Sequence, residues 1–440
     1  MSSPQRRLIL VSPHFPPINA ADMHRVRQSL PYWSDLGWAA EVVCVDPRLV
    51  NAPRDEFLAE ILPSSVPVHR VGGFDLRWAR LPGLGTLGIR TLRSLRKELL
   101  DLLRDSGDGT GCCVYFSTTQ FIVHSIAPEL RRRFPCLALA MDYQDPWVNT
   151  YYNENPQVPK PGGALKFRFT QAIARRQEPR VLRAMNGITA VSPAYRTMLS
   201  QRMPWVEDKA WLVLPFGGAM SDFEALQNLG PAQPFFDPHD GFEHWVYVGR
   251  GGSDMSFAVR ALFRAFRQAK QRQPDLDRVR WHFLGTNYAP AEKTVATIRP
   301  IAVEEGVGDW VQEVSVRIPY GSALRCMVDA DALILPGSND PGYSASKIYP
   351  CILARKPLLA LFHRESSVHD ILQRTGGGLG IQFNARSSTD EIARQVSQQW
   401  MESEDRQRIP ATDWTAFSPY TDRSMTEKLS SFLDSLCQGL

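Results

Sequence analysis

Short apolar runs alternate with amphipathic stretches of helical period along this chain, and the alternation occurs twice over its 440 residues. Strands buried on both faces read as unbroken apolar runs, and pairing them in parallel requires crossover connections, usually helices. In the first half the runs fall at 8–12, 41–45, 112–116, 136–141, 187–191 and 211–214. Between them, 25–36 places Val26, Leu30 and Trp33 on one stripe, and 91–103 places Leu92, Leu95, Leu99 and Leu102 on another. From 215 to 243 the text turns Gly-, Pro- and Asp-rich and loses its period, which predicts a linker. The rhythm then resumes. Strands are predicted at 244–248, 279–284, 310–314, 332–335, 357–361 and 378–383. Helices are predicted at 256–271, 291–305, 320–329, 344–354, 366–375 and 389–402. Met425, Leu429, Phe432 and Leu436 form one last stripe, as a docked helix would. The expected fold is α/β, with two doubly wound parallel sheets facing across a cleft. The expected domains are 1–215 and 244–412, with a linker at 216–243 and a C-terminal helix within 413–440 docking back on the first domain.

Composition excludes several classes. With 43% apolar and 22% charged residues the chain is an ordinary globular protein. No apolar run reaches the roughly 18 residues of a membrane span, and the N-terminus enters a strand without a signal-peptide core. Seven cysteines lie scattered among apolar residues, without metal-site spacing. They read as reduced core thiols, and the expected location is cytoplasmic. The net charge of +4 is mild but unevenly placed. Arg77, Arg80, Arg90, Arg93, Arg96 and Lys97 form one basic group, and Arg131, Arg132 and Arg133 a second. Lys166, Arg168, Arg175, Arg176, Arg180 and Arg183 form a third. These are either solvated helix faces or a weak attachment to the inner, anionic membrane face, at about 1 kcal/mol per nearby basic residue. No aromatic platform interleaves them, so nucleic acid is not an expected partner.

One stretch carries chemistry. The run Ala332-Leu333-Ile334-Leu335 leads into a Gly/Pro-rich loop, 336–342, and then into Ser346-Lys347-Ile348-Tyr349-Pro350. A buried parallel strand delivers its loop to the carboxyl edge of the sheet, where α/β proteins bind ligands. Loop N–H groups, the first turn of the next helix and the charge of Lys347 together suit a diphosphate. Taken alone, the pattern reads more readily as a solvated lysine after a plain connecting loop.

Further segments follow in order. They are Leu8-Ile9-Leu10-Val11-Ser12-Pro13-His14-Phe15-Pro16-Pro17, with Arg25 and Gly37-Trp38 after it; Phe116-Ser117-Thr118-Thr119 with His124; Met141-Asp142-Tyr143-Gln144-Asp145-Pro146-Trp147; Asn186 to Ser192; Leu212 to Gly218 with Asp222-Phe223; and Tyr247-Val248-Gly249-Arg250. Together with the segment around Lys347, these resemble the retaining glycosyltransferases of the GT-B fold, close to family 4 and its bacterial polysaccharide and glycoconjugate members. The resemblance implies two Rossmann-like domains and transfer of a sugar with retention from a nucleotide-diphosphate donor. The acceptor would be a glycan, a lipid-linked molecule or a natural product. No Asp-x-Asp pair is present, which fits the metal independence usual for the fold, and no cofactor is expected. By position, Gly249, Arg250, Ser346, Lys347, Tyr349 and Gly342 would hold the donor, and His14, Asn19 and Asp145 the acceptor. Arg250, Lys347 and His124 would serve catalysis. Asp145, before Pro146, is driven into a loop; there it can bind acceptor hydroxyls or brace the loop. His124 and His14 can equally be packed residues.

Three positions depart from the family pattern. Two glutamates eight positions apart are replaced by Gly342 and Pro350, and a proline brings neither carboxylate nor N–H to a ribose. Tyr349 or backbone groups would have to serve instead. The Gly-Gly turn after the first strand is Asn19-Ala20-Ala21, and the lysine a few residues past Arg250 is missing, with Asp254-Met255 in that region. These changes keep two alternatives open: a catalytically silent GT-B protein that binds a partner, and a nucleotide-sugar epimerase. No convincing acid–base pair in the second domain supports the latter.

Overall fold

The computed structural model describes residues 6–80, 85–148, 163–287, 294–340, 343 and 346–439. The chain divides into two compact units, Met1–Phe216 with Asp422–Leu440, and Gly217–Thr421. In the first, seven strands lie in the order β3-β2-β1-β4-β5-β6-β7. They are β1 Arg6–Val11, β2 Trp38–Val45, β3 Val68–Val71, β4 Cys112–Ser117, β5 Ala138–Tyr143, β6 Gly187–Ala190 and β7 Ala210–Val213. In the second, six strands run β10-β9-β8-β11-β12-β13. These are β8 Glu243–Val248, β9 Val279–Leu284, β10 Val311–Val314, β11 Ala332–Pro336, β12 Leu358–His363 and β13 Leu379–Phe383. Every ladder in both sheets is parallel. The α/β class with two wound sheets is therefore as expected.

The differences have local causes. β3 escaped the sequence reading because Val68-His69-Arg70-Val71 is a short edge strand with polar residues and a weak apolar signature. The helix expected at 25–36 is His24–Ser29, followed by a 3-10 turn over Leu30–Tyr32. Pro31 cannot donate the N–H that would continue the α-helical ladder. The next long helix starts earlier than expected, at Leu87, because the Thr86 hydroxyl accepts the Ile89 N–H as an N-cap. The stretch expected as linker carries a helix, Met220–Leu229, ended by Gly230 at φ 55°, a conformation that favours glycine.

Each unit has its own core. In the second, Trp245 meets Trp281 edge to face at 4.9 Å and Trp400 at 6.0 Å. In the first, the terminal helix Asp422–Gln438 buries Met425, Leu429, Leu433 and Leu436 with Leu8, Leu10, Trp33 and Trp38. The Trp38 indole donates to the Ser430 hydroxyl at 3.0 Å. Gly187 allows the close approach, since a β-carbon there would lie 2.6 Å from the Phe432 ring. Among the described residues no helix is long and apolar enough to cross a membrane.

Strand order places the ligand edges. In the first sheet the winding reverses between β1 and β4, and in the second between β8 and β11. A crevice opens beyond the carboxyl ends of the strands at such a switch point, because the two loops leave toward opposite faces. The loops there are 12–20 and 118–121 in the first unit, and 249–255 and 337–340 in the second.

Candidate functional site

At the switch point of the second sheet, Gly249 and Arg250 follow β8, and Lys347 precedes the helix Ile348–Leu353. The Lys347 side chain lies directly over Gly249, where a β-carbon would meet its Cε at 2.1 Å and its Nζ at 2.7 Å. The flexible lysine end could give way to a β-carbon, so it is the backbone, at φ 157°, that favours glycine there. The Gly249 N–H is spent on the Leu284 carbonyl (2.9 Å), and that of Gly251 on Thr286 (2.7 Å). These two amides are therefore not free to receive an anion. The helix has only six residues, so its dipole adds less than expected.

Arg250 is already engaged. Its two terminal nitrogens donate to the two Asp254 carboxylate oxygens at 2.9 and 2.8 Å, and its guanidinium lies 4.9 Å over the Tyr343 ring. The hydrogen bond from Arg250 holds the Asp254 pKa below the usual carboxylate value, against the opposing effect of burial. The Arg250 pKa is raised in turn, chiefly by the same bond. The Tyr247 hydroxyl donates to the Arg250 carbonyl at 2.7 Å and steadies the loop.

The other expected donor residues divide. Ser346 is exposed beside Lys347. Tyr349 turns into the core instead, stacking on Tyr420 at 5.7 Å and meeting Phe417 edge to face. Burial pushes its hydroxyl up to about 12, and its expected part in ribose recognition is withdrawn. Gly342 lies outside the described residues.

The switch point of the first sheet holds a buried polar network. Asp22 accepts from the Thr118 hydroxyl (3.0 Å), from the Thr119 N–H and from its hydroxyl (3.1 Å each), and pairs with His14 Nδ1 at 2.8 Å. Burial opposes its charge, but His14 and the two threonines together lower its pKa. Asp145 is open to solvent on one side; the protein around it, and then the Asp22 charge, raise its pKa. His14 and Asp145 are thus gathered around Asp22. Asn19 is directed elsewhere, its backbone N–H bonded to Pro53 O at 2.8 Å and its amide to Asp55 at 3.4 Å.

Beneath them sits Asp142, fully buried, accepting from Arg25 Nε (2.6 Å), Ser117 (3.1 Å), Gln144 (3.0 Å) and Thr189 (2.8 Å). Arg25 also donates to the Leu214 carbonyl at 2.5 Å. Both residues belong to segments singled out in the sequence, but spacing alone could not pair positions so far apart in the chain.

His124 is corrected. It is wholly buried, stacked on Phe121 at 6.0 Å with Phe116 and Trp147 around it, and its Nδ1–H donates to the Phe121 carbonyl at 2.9 Å. Burial holds its pKa down to about 4. A neutral, enclosed imidazole cannot reach a substrate, so the catalytic role expected for it is withdrawn.

Among the described residues no three His, Cys, Asp or Glu side chains converge as metal ligands. A polar recess of about 310 Å³, lined in part by Glu243, Asp275, Arg278 and Arg406, lies at the opposite, amino edge of the second sheet. Its Arg406 is closed by Glu243 and Asp275, and it holds none of the residues above.

No protein-family model matches the sequence, and no curated protein does. Solved structures match over nearly the whole chain. A UDP-forming α,α-trehalose-phosphate synthase from Burkholderia xenovorans superposes with TM-score 0.62 at 12% identity, covering 98% of this chain and 99% of its own. HepE from Anabaena, in complex with UDP-glucose, gives 0.59 at 15%, covering 98% and 100%. A glycosyltransferase from Rickettsia africae gives 0.58 at 11%, covering 99% and 100%. At such identities the likeness is one of fold, and that fold is GT-B.

Proposed function

We propose that this chain transfers a sugar from a nucleoside-diphosphate donor to a hydroxyl-bearing acceptor. The observation that carries the reading is that Lys347 lies against Gly249, the neighbour of Arg250, at the carboxyl edge of the second sheet. Departure of a nucleoside diphosphate builds negative charge, and cations already in place there stabilise the transition state more than the ground state. UDP is the first donor nucleotide to try, because HepE, which shares the fold, was solved with UDP and with UDP-glucose.

The finer features rest on the resemblance in sequence: retention, a family 4-type glycan, lipid-linked or natural-product acceptor, and turnover without a metal. The acceptor would be met by His14, Asp22 and Asp145 at the edge of the first sheet. A second reading, a silent protein that binds nucleotide without turnover, is favoured by one observation: Arg250 is paired with Asp254, while positions 342 and 350 carry no carboxylate.

Thermal shift and calorimetry with UDP, followed by turnover on a panel of UDP-sugars with and without EDTA, test these readings. Ligand at 100 times its Kd should add about 2.7 kcal/mol of stability. NMR of the product's anomeric proton reads retention. Failure of every nucleoside diphosphate to bind sinks the proposal, and binding without turnover over a broad acceptor panel selects the silent reading.

A further inference from the structure

The geometry points to Asp254 as a built-in competitor for the donor's diphosphate, one that sets which anions the site accepts. The inference rests on the donor-site reading above and deepens it. Arg250 presents both terminal nitrogens of its fork to the Asp254 carboxylate, at 2.9 and 2.8 Å. That two-point geometry is the one a guanidinium offers a phosphate. A ligand phosphate can therefore gain this two-nitrogen end of the guanidinium only by taking over bonds that Asp254 now holds. Both side chains are about a third exposed, at 28% and 36%, so solvent and ligand reach the pair.

Asp254 is anchored from behind. Its backbone carbonyl accepts the Asn339 N–H at 2.8 Å, and the buried Ser338 helps to lower the pKa of its carboxylate. Asp254 thus belongs to the frame between the two switch-point loops, and the arginine is the partner free to exchange. The Tyr343 ring beneath the guanidinium offers a surface on which it can turn.

The charges then decide selectivity. Arg250, Lys347 and Asp254 sum to one positive charge, and Lys347 lies across Gly249 at the same edge. A diphosphate can engage Lys347 with one phosphate and contest the fork with the other. A monophosphate reaching Lys347 has no second group with which to displace the carboxylate. Asp254 therefore favours diphosphates over monophosphates at a cost in affinity for both.

The test is calorimetric titration of UDP and UMP into the full-length protein and its Asp254→Asn and Asp254→Glu variants, with melting temperatures measured alongside. Asp254→Asn should bind UDP about fivefold more tightly, the upper range for a pair this exposed. It should narrow the preference for UDP over UMP and steepen the salt dependence of Kd, since one opposing charge is gone. Asp254→Glu keeps the charge and should show no such gain. If Asp254→Asn proves unstable, Asp254→Ser, equally uncharged, gives the same reading. Binding of UDP by the variant alone also supports the inference. Unchanged or weaker UDP binding in a folded, uncharged variant, with the wild type binding, overturns it. If neither protein binds UDP, the donor site itself is wrong and the inference falls with it.

Discussion

Lys347 and His124 show how differently two polar side chains near ligand-type segments can be placed. Lys347 is partly exposed and crosses a glycine at the sheet edge, so its charge is within reach of a ligand. Lys347→Ala should weaken UDP binding about ten- to hundredfold, since charge-assisted bonds to a phosphate contribute roughly 1.5–3 kcal/mol. Unfolding free energy should hardly move; full UDP affinity in the variant, by calorimetry, would show that the diphosphate lies elsewhere. His124 has the opposite character, with a pKa lowered by burial from 6.5 to about 4. As pH falls, the unfolded chain takes up this proton first, so stability is present above about 6.5 and is lost on the way to 4. Between pH 7 and pH 5 this single group should cost about 2 kcal/mol. In urea unfolding at the two pH values, His124→Phe should remove a loss of that size. An unchanged pH dependence would mean that the imidazole is not held neutral.

At the scale of elements, the terminal helix Asp422–Gln438 shows how an amphipathic stripe finds its partner. Leu433 is fully buried in the cluster that also holds Leu10 and Trp38. Leu433→Ala should destabilise the first unit by about 2–5 kcal/mol, the usual range for truncating a core leucine. The change belongs in the unfolding transition of that unit; a loss below about 1 kcal/mol would mean the helix is peripheral to its core. The apolar stripe was legible from spacing alone. The glycine that admits the helix, Gly187, was legible only as a strand residue, because its need for smallness comes from Phe432, far along the chain.

For the whole molecule, the basic groups of the first half matter most. The structure thins them out. Arg90 is buried and bonds the Phe74 and Leu49 carbonyls. Arg131 bonds the carbonyls of Ala184 and Pro135, and Arg96 and Arg133 share Glu129. The Lys166 side chain lies outside the described residues. Arg93, Lys97 and Arg132 remain exposed, as do Arg77, Arg168, Arg175, Arg176, Arg180 and Arg183. We propose weak attachment to anionic bilayers through the exposed residues of 90–97 or 131–133, suited to a lipid-linked acceptor. Sedimentation with anionic liposomes at low salt should carry the protein down, and release should follow as salt shortens the Debye length below about 8 Å. Protein left in the supernatant at low salt ends that idea without touching the donor site.

The alternation of apolar runs and amphipathic stretches was enough to determine two parallel α/β sheets, because burial on both faces and a helical period leave few other solutions. It also marked the loop before Lys347 as one that follows a buried strand, whereas Gly249 and Arg250 were singled out only by the resemblance to the GT-B transferases. Only the tertiary structure decided what each polar group meets. It paired Arg25 with Asp142 and gathered His14 and Asp145 at Asp22. It enclosed His124 and Tyr349 in aromatic cores and closed Arg250 onto Asp254. The physical reason is the same in each case. Periodicity reports which face of an element is buried, whereas a carboxylate or a ring acquires its role from neighbours that other strands supply.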